Sequence, residues 1–137
     1  MTKGNDGKAR TLSAADVEEF ERLQAQIEGL HTEIQTLVRK SPNDLLNKFK
    51  LGLVNSVLRR ANTLLTEQYR PFEDFTDFAD DQAPSNSDVM LVLSQYLASM
   101  ETMRTDNIYQ KGGVVWAWTI NGQPSQVKTR PPLKLTN

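Results

Sequence analysis

Histidine, cysteine and paired carboxylates carry most protein chemistry near neutral pH, and this chain of 137 residues is poor in the first two. His31 is the one histidine, and there is no cysteine. A single imidazole cannot build a two-histidine zinc site. As a general base it would need a nucleophile and an orienting carboxylate, and no serine elbow or placed carboxylate accompanies it in sequence. The absence of cysteine excludes a disulfide framework, thiolate zinc sites and cysteine nucleophiles. Asp74, Asp77, Asp80 and Asp81 cluster, but they lack the spacing and central glycine of a calcium loop. Gly112-Gly113 follows a helical pattern rather than preceding one, so it reads as a helix stop and not as a phosphate cradle. The expectation is a protein without catalytic residues, metal ligands or a cofactor.

The remaining chemistry is that of binding. Tyr69, Phe72, Phe75 and Phe78 recur every three residues between acidic groups. Two uses fit that pattern: rings that close one end of a helical core while the acids stay in water, or an acidic, aromatic docking segment for a basic partner. Both tryptophans, Trp116 and Trp118, lie in one alternating stretch near the C-terminus. Lys48, Lys50, Arg59 and Arg60 continue a basic run begun by Arg39 and Lys40, and Lys111, Lys128, Arg130 and Lys134 flank the tryptophans. Such cations either complement acids of the same chain or face the phosphates of a nucleic acid. A formal net charge of −1 gives no global attraction to nucleic acid. Tyr96, Met100 and Met103 could line a small-molecule pocket, although such residues more often form plain core.

These side chains need elements to hold them. Ser13 with Asp16 forms a capping box, and Leu12 and Val17 occupy the staple positions. Helix one is therefore predicted over 14–39, with Phe20, Leu23, Ile27, Leu30, Ile34 and Leu37 as an a/d seam. Ser41-Pro42-Asn43-Asp44 repeats a start signal, which predicts helix two over 42–68. Its apolar stripe is wide, from Leu45, Leu46, Phe49, Leu53 and Val54 to Leu65, as expected of a central helix. Asn55 and Asn62, seven residues apart, either register the core by buried amides or face water. Ser85 or Ser87 caps a third helix predicted over 86–109.

Asn121-Gly122 is the preferred pair for a type I′ turn. It predicts a hairpin over 112–129 with Trp118 opposite Ser125 and Trp116 opposite Val127. Val114, Trp116, Trp118 and Ile120 then share one face that leans on the helices. Pro124 cannot donate to a ladder, so its strand must lie at an edge.

Charge decides which helices meet. From Ser13 to Val38 there are six acidic residues and one basic; from Arg39 to Arg60 there are six basic and one acidic. Opposite charge across a short connection favours helices one and two as antiparallel neighbours. A homodimer through the helix-one seam is the alternative use of that pattern.

The expected fold is thus mainly α: an antiparallel three-helix bundle with a C-terminal two-stranded β-hairpin. A polar tail over 1–10 precedes one domain over 11–137, which closes with an extended tail over 130–137. The first residues lack the apolar run of a signal peptide, and no stretch reaches the ~20 apolar residues of a membrane span, which points to the cytoplasm. The expected function is a non-enzymatic protein-interaction subunit or adaptor of a larger assembly, with Phe72, Phe75, Phe78, Trp116 and Trp118 at its contacts. The alternative is a nucleic-acid-associated accessory protein that uses Lys48, Lys50, Arg59, Arg60, Lys128 and Arg130.

Overall fold

The computed structural model describes residues 10–79 and 81–133. The expected tail up to residue 9, Asp80, Lys134 and the last three residues lie outside the described residues. Three helices are followed by three strands: α1 (Ala14–Lys40), α2 (Lys48–Tyr69), α3 (Asn86–Thr105), β1 (Ile108–Lys111), β2 (Val115–Ile120) and β3 (Gln123–Thr129). The strands form one antiparallel sheet in the order β1-β2-β3. The fold is therefore mixed, with a three-stranded sheet where a two-stranded hairpin was expected. No helix among the described residues is long and apolar enough to cross a membrane.

Helix α1 starts as its sequence dictates. Ser13 Oγ accepts the Asp16 N–H at 3.1 Å, and the Asp16 carboxylate accepts the Ser13 N–H at 2.9 Å. Phe20, Leu23, Ile27 and Ile34 of the seam are fully buried in the chain's own core, with Leu30 and Leu37 packed at its border.

Helix α2 begins at Lys48 rather than Pro42, capped by Asn47, whose side chain accepts the Lys50 N–H at 2.8 Å. The Ser-Pro start signal loses because residues 41–47 clasp the start of α3. Leu46 N–H donates to the Pro84 carbonyl at 3.0 Å, Asn86 N–H to Asp44 at 2.9 Å and Ser87 N–H to Pro42 at 3.0 Å. The wide apolar stripe fails at its edge: Leu45, Phe49 and Leu53 are 65%, 75% and 44% exposed. Near its other end α2 is broken at Thr66, where φ is 59° and ψ −176°. A β-branched residue has almost no allowed space there, so this backbone is strained.

Helix α3 is capped by Ser85, which accepts the Asp88 N–H at 3.2 Å. It ends at Thr105, not at Tyr109. Asn107 folds its side-chain amide back onto the Met103 carbonyl at 2.8 Å, while its own carbonyl accepts the Thr119 N–H at 2.7 Å. The chain leaves the helix already bonded to β2, and Ile108–Lys111 becomes a strand. The glycine pair 112–113, both at positive φ, then turns β1 into β2 instead of ending a helix.

The second turn has the expected form. Asn121 and Gly122 sit at φ 54° and 75°, as a type I′ turn requires. Pairing starts as expected, with Ile120 opposite Gln123 and Thr119 opposite Pro124. It then slips at a bulge, where Ser125 Oγ donates to the Trp118 carbonyl at 2.7 Å and accepts the Val127 N–H at 3.1 Å. Trp116 consequently faces Thr129, not Val127. Pro124 lies on an edge strand, as it must.

The sheet docks through one tryptophan. Trp118 is fully buried, its ring edge-on to Phe20 at 5.1 Å, and its indole N–H donates to Glu21 at 3.2 Å. Trp116 is only half-buried, and Val114, expected on the same face, stands in the β1–β2 turn at 79% exposure. The Asn121 N–H donates to the Leu12 carbonyl at 2.7 Å, which ties the hairpin turn to the approach of α1.

Candidate docking surface

The basic residues of α2 divide into paired and unpaired. Lys50 binds Glu33 at 2.8 Å, and Arg60 binds Glu19 at 3.0 Å and Gln26 at 2.8 Å. Later residues of α2 meet earlier residues of α1, so the two helices run antiparallel, as the sorted charges required. The Arg60 hydrogen bond holds the Glu19 carboxyl below its ordinary range against the opposing pull of burial, and the Lys50 hydrogen bond does the same for Glu33. Arg59 reaches the connector, binding Asp77 at 2.8 Å. Lys48, Lys128 and Arg130 are exposed and form no ion pair among the described residues. Lys128 and Arg130 border a cleft of about 400 Å³ beside Trp118, Glu21 and Gln24.

The connector from Arg70 to Ala79 runs back along α2, and the two asparagines hold it there. Asn55 donates to the Phe78 carbonyl and accepts the Phe78 N–H, both at 2.9 Å. Asn62 donates to the Thr76 carbonyl at 2.9 Å and accepts the Tyr96 hydroxyl at 2.7 Å. Burial raises the Tyr96 phenol above its ordinary value, so it stays a donor to Asn62. The seven-residue spacing thus serves to fix a loop, and at Asn62 it also ties α2 to α3 through Tyr96.

Held this way, the rings form a ladder. Phe72 and Phe75 meet edge-on at 5.8 Å, Phe75 and Phe78 at 5.1 Å, and Phe72 lies 6.2 Å from Tyr96. All three phenylalanines are half-buried against the core, so closure of the core accounts for part of their area. The remaining area of Phe72 and Phe75 lines an open groove of about 630 Å³ between the connector and α3, which Phe78 does not reach. Pro71, Phe72, Phe75, Val92 and Leu91 make its apolar surface, and Leu91 is 60% exposed there. Glu73 and Asp74 form an exposed rim and carry no ion pair among the described residues. An apolar floor with an anionic rim suits a segment that presents apolar side chains next to cations.

Two further pairings have no counterpart in the sequence reading. His31 Nε2 lies 3.0 Å from Ser94 Oγ, across α1 and α3. No carboxylate hydrogen bond orients that imidazole among the described residues, and no three acids or histidines there converge as metal ligands. The second pairing is a buried clamp. Arg104 donates to both oxygens of Glu101, at 2.9 and 2.8 Å, and its remaining N–H groups reach Thr129 Oγ1 and the carbonyls of Arg130 and Pro131. Glu101 also accepts the Leu133 N–H at 2.9 Å. The clamp pins the chain after β3 onto α3. An acid and a base at i, i+3 usually form a surface pair; only the folding-over of the sheet and tail buries this one.

Comparison with family models, curated proteins and solved structures finds no match to this chain.

Proposed function

We propose that this chain is a non-enzymatic protein-interaction subunit of the cytoplasm, in which an antiparallel bundle of α1, α2 and α3 serves as a rigid frame for one docking groove. The groove between the connector and α3 takes an amphipathic segment of a partner protein. Phe72, Phe75, Leu91 and Val92 receive its apolar side chains, and Glu73 and Asp74 attract the cations that flank them.

The observation that carries this reading is the way the groove is held. Asn55, which is buried, and Asn62, which is half-buried, lock the backbone of this loop to a helix. Here they pre-order aromatic side chains that remain partly open to solvent, which lowers the entropy cost of binding. The nucleic-acid reading has less support, because Lys50, Arg59 and Arg60 already face acids of their own chain.

The test is chemical-shift mapping with a helical probe peptide that carries Phe and Leu at i, i+4 between lysines. The expected result is perturbation confined to 71–75 and 91–92, lost in Leu91→Glu. Shifts confined to Lys128 and Arg130 on titration with a single-stranded oligonucleotide, with none from the peptide, would instead support nucleic-acid binding.

A further inference from the structure

The surface holds a second apolar feature that the core does not use. Phe49 and Leu53 stand one turn apart on the outer face of α2, at 75% and 44% exposure. An exposed phenylalanine one turn from an exposed leucine makes an apolar ridge that the core leaves open to solvent. Lys48 adjoins Phe49, and the exposed pair Arg39 and Lys40 ends α1 just before the loop that leads into α2. None of these three cations has an ion-pair partner among the described residues, although Lys50 and Arg60 on the same helix do.

This ridge has the chemistry that the groove lacks. The groove offers an apolar floor and the unpaired acids Glu73 and Asp74; the ridge offers apolar side chains at helical spacing, with exposed, unpaired cations close to it in sequence. We infer that the occupant of the groove is the Phe49–Leu53 ridge of a second copy of this chain. The inference rests on the docking reading above and names its partner.

At helical spacing Phe49 and Leu53 lie on the side of α2 away from Asn55 and Asn62, which hold the connector, so the contact is head-to-tail. Such a contact does not close after two copies; it leaves a ridge free at one end and a groove free at the other. Assembly therefore grows with concentration instead of stopping at a dimer. The rim charges make it weaker as salt rises from about 0.05 to about 0.5 M.

Complementation tests this directly. Light scattering on the full chain is expected to show mass rising with concentration. Phe49→Glu removes the ridge and Leu91→Glu removes the groove, and each is expected to weaken self-association by about thirtyfold or more. Both positions are solvent-exposed, so circular dichroism should match the parent protein. Mixed one to one, the two variants retain one intact ridge and one intact groove. The expected product is a particle of two chains that grows no further. A mixture that stays monomeric, or a parent chain that stays monomeric at about millimolar concentration, overturns the inference. The lysine-flanked probe peptide judges the groove separately: peptide binding to a monomeric parent keeps the docking reading and rejects the second copy as occupant.

Discussion

The side chain of Asn55 meets the backbone of Phe78 with both halves of its amide, each at 2.9 Å. It stands in for a neighbouring strand and satisfies a segment that has no regular structure of its own. Asn55→Ala leaves both backbone groups of Phe78 without their partner in a half-buried place. The expected loss is about 2–3 kcal/mol, measured by urea denaturation. Loss of the ordered aromatic ladder should accompany it, seen as collapse of the Phe ring shift dispersion. Stability within about 0.5 kcal/mol of the parent would mean that the amide does not hold the connector.

Arg104 and Glu101 are both almost fully buried, at 1% and 3% exposure. Removing one partner strands the other charge. Arg104→Met is therefore expected to cost about 3–5 kcal/mol. The double variant with Glu101→Met should recover much of that, because no buried charge remains. Limited proteolysis should cut near Arg130 in the single variant long before it does in the parent. Equal protease resistance would show that the tail is held by something else.

Acid should act through the same clamp. Burial pushes the Glu101 carboxyl up, but the Arg104 hydrogen bonds, the Leu133 N–H and the charges of Arg104 and Arg130 outweigh it and hold the group below its ordinary 4.5. A carboxyl that binds its proton less readily when folded adds stability above that ordinary value, and the contribution is lost as pH falls through the lower folded value. Glu19 and Glu33 act in the same direction. Thermal midpoints should stay flat from neutrality to about pH 5 and then decline. In Arg104→Met the buried carboxylate has lost its cation, so protonation relieves it, and the gap to the parent should narrow on acidification. A gap that widens would contradict the clamp.

Thr66 occupies backbone space that suits glycine almost alone, at φ 59° and ψ −176°. Relief of strain worth about 1–3 kcal/mol exceeds the entropy that glycine adds to the unfolded chain. Thr66→Gly is thus expected to raise stability by about 1 kcal/mol, or the thermal midpoint by about 3–5 °C. A fall in the midpoint would show that this break in α2 is unstrained.

What could be read from sequence followed locality. The capping box of α1, its seam, the charge match to α2 and the Asn121-Gly122 turn each depend on neighbours in the chain or on net charge. The start of α2 was misread because Pro42 and Asp44 do resemble a helix start; their backbone carbonyls are claimed by α3 instead. Strand β1 was hidden because Ile108 and Tyr109 continue a helical spacing. Asp106-Asn107 followed by Ile-Tyr was the signal available for a stop and a strand. The aromatic connector was legible in sequence with two uses open, closure of the core or docking, but the groove beside it depends on Asn55, Asn62 and Leu91, whose placement arises only when α2 and α3 come together. Nothing local marks Glu101 and Arg104 as buried.

Reversal of charge at the groove rim is the most direct test of the proposed docking surface. The affinity of the lysine-flanked probe peptide, and of its twin with glutamates in place of the lysines, can be measured by calorimetry on the parent and on the Glu73→Lys, Asp74→Lys variant. The expected result is exchange of preference: the parent binds the lysine peptide more tightly and the variant the glutamate peptide, with both lost in Leu91→Glu. Equal affinity for the two peptides on both proteins, or binding that survives Leu91→Glu, would place the contact elsewhere on the molecule.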